Sequence, residues 1–208
     1  TSRGRGQYLA VIGAPVVLMG FVYFFMSAFA GSGIQTFSIT ALTSGYGLAI
    51  KLATLGLTAY LVGSAGGILA GGFLADRTRQ HHRVAMAGVA TAGVLMFVIG
   101  AVPSLAAAVV PLMLLAGITN GLTGPSRDVL IRRAASGAGM GSVFGFVYSG
   151  FDLGSSTAPL LFGALIDHGA PQGVFFVVAC AFALAVPTVM QVHHRAAARA
   201  GVATAAAE

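Results

Sequence analysis

The chain contains six long apolar runs separated by short clusters of charged residues. The runs lie at about 8–30, 52–74, 84–102, 104–124, 143–166 and 172–192. Each is close to the ~20 apolar residues that a helix rising about 1.5 Å per residue needs to cross a bilayer. Only 8% of the residues are charged, whereas a soluble domain has about 25%. The sequence therefore predicts an all-α membrane protein, with residues 1–208 forming one six-transmembrane-helix bundle in contact with the lipid bilayer.

The remaining composition excludes several other classes. A hydrophobic content of 57% is incompatible with disorder. The net charge of +6 does not indicate nucleic acid, because the charges lie between apolar runs and form no basic stripe. The single cysteine, Cys180, excludes a disulfide framework, and neither histidine pair has metal-ligand spacing. Catalytic and nucleotide-binding motifs are missing from the sequence. We therefore expect no enzyme activity, no cofactor and no metal.

The arginines predict the orientation of the spans. Ten basic residues fall on one side of the six-span arrangement: Arg3, Arg5, Arg77, Arg79, Arg83, Arg127, Arg132, Arg133, Arg195 and Arg199. The other side has only Lys51. Cytoplasmic loops of membrane proteins carry the excess of Lys and Arg. Both termini are therefore expected in the cytoplasm, and the membrane is expected to be the plasma membrane, which in a bacterium is the inner membrane.

The second run ends in a polar segment, Gly72-Phe73-Leu74-Ala75-Asp76-Arg77-Thr78-Arg79. It resembles the G-x-L-A-D-R-x-G-R-[KR] loop signature of the major facilitator superfamily, and its departure at Arg79 resembles the weaker copy between helices 8 and 9. The resemblance implies that Gly72, Asp76, Arg77 and Arg79 form a conformational latch loop, in which the Asp76 carboxylate reaches a helix start in the other half of a transporter. The alternative is that Asp76 only balances the neighbouring arginines at the membrane surface.

The fifth run has the pattern Gly145-x8-Gly154-x3-Ala158-Pro159-x2-Phe162-Gly163. This resembles the helix 5 pattern of antiporters in the same superfamily, of which helix 11 is the pseudo-symmetric copy. We predict a helix kink at Pro159, flanked by Gly145, Gly154 and Gly163, because proline removes a backbone hydrogen bond and glycines allow close helix contact. A simple packing kink without a transport role remains the alternative.

The same run places Asp152 near the middle of the membrane. A carboxylate at that depth costs at least ~2.5 kcal/mol on insertion scales and is usually retained for function. Tyr148, Ser155 and Ser156 lie on the same helical face. We predict a substrate or proton site here, with a structural hydrogen-bonded carboxylic acid as the alternative. Further cavity-lining candidates, each with a structural role still open, are Tyr23, Gln35, Tyr60 and Asn120.

Two local interpretations concern the helices themselves. Ala59, Gly63, Gly67 and Gly71 repeat every four residues, which predicts a ridge for close helix packing. Residues 126–137 are interpreted as a short amphipathic helix on the cytoplasmic surface.

The whole chain resembles the C-terminal six-helix half of a major facilitator transporter, helices 7 to 12. This implies a fold of two three-helix inverted repeats. It also implies a gradient-driven, proton-coupled carrier of small organic molecules that works by antiport or as an exporter. It also implies a partner, either a missing N-terminal six-helix half or a second six-helix chain. The start at Thr1 favours the fragment. A non-transporting membrane scaffold or degenerate half-transporter is the alternative.

Overall fold

Six α-helices make up nearly all of the chain that the structure describes. The computed structural model describes residues 15–78, 80–102, 108–135 and 140–205. In chain order the helices are α1 (Pro15–Tyr46), α2 (Ile50–Arg77), α3 (His81–Ala101), α4 (Val109–Ala135), α5 (Met140–Asp167) and α6 (Gly173–Ala205). Short turns join α1 to α2 and α5 to α6. Gly47 and Gly169 occupy the positive-φ positions in these turns, at 65° and 72°, where a Cβ would be strained.

The helix ends differ from the sequence-based expectation at several places. Helix α1 runs to Tyr46, past the predicted end of the first run at about 30, and α6 runs to Ala205, past the predicted end at about 192. Helix α4 continues through Pro125 to Ala135, so the prediction of a separate surface helix over residues 126–137 is wrong. Proline is tolerated inside membrane helices because neighbouring groups satisfy the freed backbone. The segment from Gly72 to Arg77 belongs to the last turns of α2 and not to a loop, since nothing in its composition breaks the helix before Thr78.

Four helices are long and apolar enough to cross a membrane over their described residues: Val17–Tyr46, Ile50–Arg77, His81–Ala101 and Val109–Val129. The corresponding apolar part of α6, Gly173–Thr188, is shorter. Helix α5 is 28 residues long but falls outside this group, because serines, a threonine, a proline and Asp152 lower the hydropathy of its middle. The polar centre of α5 therefore separates it from the other helices.

The helix pairing has an internal symmetry. The most extensive contacts are between α2 and α4 and between α1 and α5, followed by α1 with α6 and α3 with α4. Matching α1, α2 and α3 to α4, α5 and α6 converts the α2–α4 pair into the α5–α1 pair, and the α1–α6 pair into the α4–α3 pair. The α3–α6 pair, which is also in contact, maps onto itself. This is the arrangement expected of two three-helix repeats. It leaves α1, α2, α4 and α5 around one central region.

Glycines bring the backbones of α2 and α4 into direct contact. A Cβ on Gly63 or Gly67 would collide with the carbonyl oxygens of Leu114 and Ile118, respectively. A Cβ on Gly71 would lie 2.7 Å from the carbonyl oxygen of Leu122. From the opposite side, Gly117 and Gly121 of α4 face the carbonyl oxygens of Tyr60 and Ser64. The four-residue spacing on α2 thus forms a packing ridge, although Ala59 itself is only half-buried beside it.

Glycines also bring the backbones of α1 and α5 into close contact. A Cβ on Gly150 would lie 2.7 Å from the Phe21 carbonyl oxygen, and one on Gly154 would collide with the Phe25 carbonyl. The buried ring of Phe162 fills the space left by Gly33. Close approach of both pairs holds the four central helices at fixed separations.

Candidate functional site

A cavity of about 400 Å³ lies among the four central helices. Its lining comes from α1 (Ser27, Ala28, Gly31, Ser32, Gln35, Thr36), α2 (Tyr60, Leu61, Ser64, Ile68), α4 (Asn120, Gly121, Thr123, Gly124, Arg127) and α5 (Phe151, Ser155). The volume falls within the range of small-molecule sites. Most of the lining side chains carry hydroxyl or amide groups, so the cavity is suited to a polar ligand.

An amide and a phenol meet in the cavity wall. The Asn120 Nδ2 donates a hydrogen bond to the Tyr60 hydroxyl at 3.0 Å, and the Tyr60 side chain is buried. This bond joins α2 to α4 across the glycine ridge. The exposed Gln35 amide on α1 belongs to the same lining. Three of the four predicted cavity-lining residues therefore come together, and the structure places the fourth elsewhere, because Tyr23 is buried beside Phe24.

Helix α5 contributes Ser155 to the cavity, but not the other three residues of the predicted proton site. The Ser32 hydroxyl donates to the Ser155 carbonyl oxygen at 3.4 Å and links α1 to α5. Tyr148, Asp152 and Ser156 lie on the adjacent, exposed face of α5. The Ser156 hydroxyl donates to the Asp152 carbonyl oxygen at 2.7 Å. Among the described residues, no side chain bonds or pairs with the Asp152 carboxylate.

Arg127 is a cavity residue that the sequence analysis missed. Its guanidinium lies 4.4 Å from the centre of the Phe24 ring, and its Nε contacts Asp128 Oδ1 at 3.1 Å. The sequence analysis ends the fourth run at about 124 and counts Arg127 among the basic residues of the cytoplasmic side. The spacing Asn120, Thr123, Arg127 repeats at three and four residues and places all three on one helical face. This spacing predicts a shared face only if α4 continues through Pro125.

The predicted kink residues have different surroundings. Gly154 contacts the backbone of α1, whereas a Cβ on Gly145 or Gly163 would meet nothing within 4 Å. Pro159 lies inside α5 and is exposed, next to the buried Ala158. Close packing thus requires a small residue at one of the three glycines only.

The predicted latch residues lie at the end of α2. Asp76 and Arg77 are exposed, and a Cβ on Gly72 would have open space around it. Arg79 lies outside the described residues, as do Arg3 and Arg5 of the orientation argument. In the described part of the chain, the Asp76 carboxylate has no hydrogen bond or ion pair, so no helix start of these residues is capped by it.

The comparison with protein families decides the assignment of this cavity-forming bundle. The family model described as Major Facilitator Superfamily matches residues 11–205, nearly the whole chain. The chain belongs to the major facilitator superfamily. It is therefore a multi-pass integral membrane protein and a membrane transporter of this superfamily, whose members bind small substrates and are typically not enzymes. Comparison with curated proteins gives no match.

The membership agrees with the polar cavity between α1, α2, α4 and α5. Within the described residues, no group of three or more histidine, cysteine, aspartate or glutamate side chains is placed to hold a metal ion. Among the described lining residues of this major facilitator chain, hydroxyls, amides and one guanidinium are the polar side-chain groups available for substrate contacts.

Proposed function

We propose that this chain is the C-terminal six-helix half of a proton-coupled secondary carrier of small organic molecules. The observation that supports the proposal is the position of the cavity. It is bounded by the first two helices of each three-helix repeat, and such repeat interfaces are where secondary transporters bind substrate.

Asp152 is the proposed proton-coupling residue. It lies near the middle of α5, next to the cavity residues Phe151 and Ser155, and its side chain is exposed on the open face. A charged carboxylate is costly at such a depth. Binding or release of a proton therefore changes the free energies of the inward-facing and outward-facing conformations of the carrier by different amounts. Tyr148 and Ser156 supply hydroxyl groups one turn away on either side, and Ser155 extends this polar stripe into the cavity.

The open face also supports a second six-helix unit. Tyr148, Asp152 and Ser156 are all exposed near the middle of α5, which the sequence predicts to cross the membrane, and contact with lipid is unfavourable for polar groups there. An N-terminal half, or a second six-helix chain, would cover them and complete the cavity. The exposed Asp76 at the end of α2 is then available as the latch that binds a helix start of that unit in one conformation.

The partial antiporter pattern around Pro159 favours export by exchange with protons. Within α5 the pattern has Gly154 in close contact with α1, so a change in the α1–α5 distance would alter the cavity directly.

The test uses the complete carrier in proteoliposomes that contain a pH-sensitive dye. Addition of a panel of small organic solutes to vesicles with an imposed proton gradient should give solute-dependent proton flux. Asp152→Asn should abolish this flux, while Asp167→Asn, a matched exposed carboxylate at the end of the same helix, should retain it. Membrane insertion of both variants is checked by protease protection.

Two results contradict the proposal. Wild-type flux in Asp152→Asn with unchanged pH dependence would show that Asp152 has a structural role. A proton flux that none of the added solutes changes, in any vesicle preparation, would favour the non-transporting scaffold.

A further inference from the structure

We infer that the cavity selects small organic anions and that the Arg127 guanidinium binds their negatively charged group. The inference rests on the proposed carrier function, which it extends by a substrate class. It follows from the charge of the cavity lining, the free donors of Arg127 and a buried hydroxyl nearby.

The first argument is electrostatic. Of the described residues that line the cavity, Arg127 alone carries a charge at neutral pH, since all others are apolar, hydroxyl or amide side chains. Lipid and protein around the cavity have a low dielectric constant, so this charge acts more strongly there than it would in water. The Asp128 carboxylate partly offsets this charge but lies outside the lining, so the group presented to a solute is the guanidinium, which favours an anion over a neutral or cationic solute.

The second argument concerns the donors that remain on Arg127. Asp128 contacts only the Nε atom, at 3.1 Å. In the part of the chain that the structure describes, both terminal amino groups of the guanidinium have no hydrogen-bond partner. Two parallel N–H groups on one planar fork match the oxygens of a carboxylate or phosphate. Asp128 is absent from the cavity lining, so its carboxylate does not occupy this fork.

The third argument is that the guanidinium is held in place. Its carbon lies 4.4 Å from the centre of the Phe24 ring, a cation–π geometry. Phe24 in turn contacts Tyr148 of α5, with ring centres 4.9 Å apart. The charge is therefore fixed by side chains from α1 and α5, and less side-chain entropy is lost when a ligand binds.

A hydroxyl close to this point completes the anion site. Ser27 lies three residues after Phe24 on α1, hence on the same helical face, and lines the same cavity. Its Oγ is buried and has no hydrogen-bond partner among the described residues. A buried hydroxyl without a partner is unfavourable, and an anionic oxygen in the cavity would accept its hydrogen bond.

The distance between the charged and the neutral polar groups sets the ligand's length. Asn120 lies two helical turns from Arg127 on α4, about 10 Å along the helix axis. The amides of Asn120 and Gln35 are placed to bind a hydroxyl or carbonyl at the other end of the solute. We therefore expect an organic acid with a second polar group, not an inorganic ion.

The experiment compares solutes of similar size and shape whose one varied group is anionic, neutral or cationic, added to the purified complete carrier in detergent. The first series is 4-hydroxybenzoate, 4-hydroxybenzamide and 4-hydroxybenzylamine. The second is 4-hydroxybutyrate, 4-hydroxybutyramide and 4-amino-1-butanol. Titration of thermal stability gives an apparent Kd for each compound. The anion of at least one series should bind more tightly than its neutral and cationic partners.

Variants separate the contribution of Arg127 from general effects. Arg127→Gln should weaken anion binding roughly 10- to 100-fold, as expected for lost hydrogen bonds between charged groups, with little effect on the neutral compounds. Arg127→Lys should keep the preference for anions, at lower affinity, and so guards against misfolding of the glutamine variant. Arg83→Gln is the matched control, because Arg83 is an exposed arginine at the start of α3, bonded to Gln80 at 3.1 Å.

Several outcomes would overturn the anion assignment. It fails if the neutral or cationic compounds bind as tightly as the anions, if no anion binds the wild type, or if Arg127→Gln retains full affinity for them. Solute-dependent proton flux that persists in any of these cases leaves the carrier function intact, whereas loss of all flux concerns the proposed function instead.

Discussion

Replacement of Gly67 by alanine should destabilise the bundle, because the added methyl group has no space between α2 and α4. It would collide with the Ile118 carbonyl oxygen and would lie 3.1 Å from the Gly121 Cα and from the Ile118 carbonyl carbon. These are backbone atoms, so no side-chain rotation relieves the contact. The two helices must move apart, and the ridge that includes Gly63 and Gly71 loses contact along its length.

The neighbouring Gly66 provides a matched control that isolates this effect. A Cβ on Gly66 would meet nothing within 4 Å, so Gly66→Ala brings only the helix preference of alanine, about 1 kcal/mol of stabilisation. Gly67→Ala gains the same term but adds overpacking, which costs typically ~1–3 kcal/mol in a well-packed core. The difference in free energy of unfolding between the two variants should therefore be about 1–3 kcal/mol.

Unfolding in mixed micelles of dodecyl maltoside and sodium dodecyl sulfate, followed by far-ultraviolet circular dichroism, measures this difference. Gly71→Ala is a graded comparison, because its nearest contact of 2.7 Å is less severe. It should fall between Gly66→Ala and Gly67→Ala. Equal stability of Gly66→Ala and Gly67→Ala, within about 0.5 kcal/mol, would refute the backbone contact between α2 and α4.

Three further predictions follow from the same structure. A double-mutant cycle with Tyr60→Phe and Asn120→Leu should give a coupling of about 0.6 kcal/mol in unfolding free energy, typical of hydrogen bonds between membrane helices; zero coupling would argue against the bond. Asp76→Ala should leave the thermal stability of the isolated chain nearly unchanged, but should shift the inward–outward balance of the complete carrier in cysteine-accessibility assays; no shift would remove the latch. Reporter fusions after residues 80, 135 and 200 should report the cytoplasm and those near 45, 103 and 170 the outside, and reversal at two sites would contradict the proposed orientation.

The helical membrane class could be predicted from the sequence because it depends on local properties. Length and hydropathy of a run decide whether a segment is helical in lipid, since every backbone group must be satisfied within the segment. The glycine ridge on α2 could be predicted for the same reason, because it appears in the sequence as a four-residue repeat. The sequence-based prediction was wrong at residues 126–137, where charged residues suggested a separate surface helix, whereas α4 continues through Pro125 to Ala135.

The composition of the cavity depended on information that no single segment contains. Tyr60 and Asn120 are 60 residues apart and meet only because Gly63, Gly67, Gly117 and Gly121 let two backbones touch. Tyr23 and Phe24 are adjacent and both buried, and the packing of α1 decides that Phe24 contacts the Arg127 guanidinium, whereas Tyr23, a predicted lining residue, is absent from the lining.

The sequence by itself thus determined that this protein lies in a lipid bilayer, that six helices are expected, and which residue types are available for a site. The tertiary structure alone decided which of those residues share a cavity. Hydropathy is a property of each segment against lipid, whereas the direction in which Arg127 or Asp152 faces depends on which helices pack beside it. That choice is set by steric fit between distant segments, because lipid offers no hydrophobic force to select among the apolar faces.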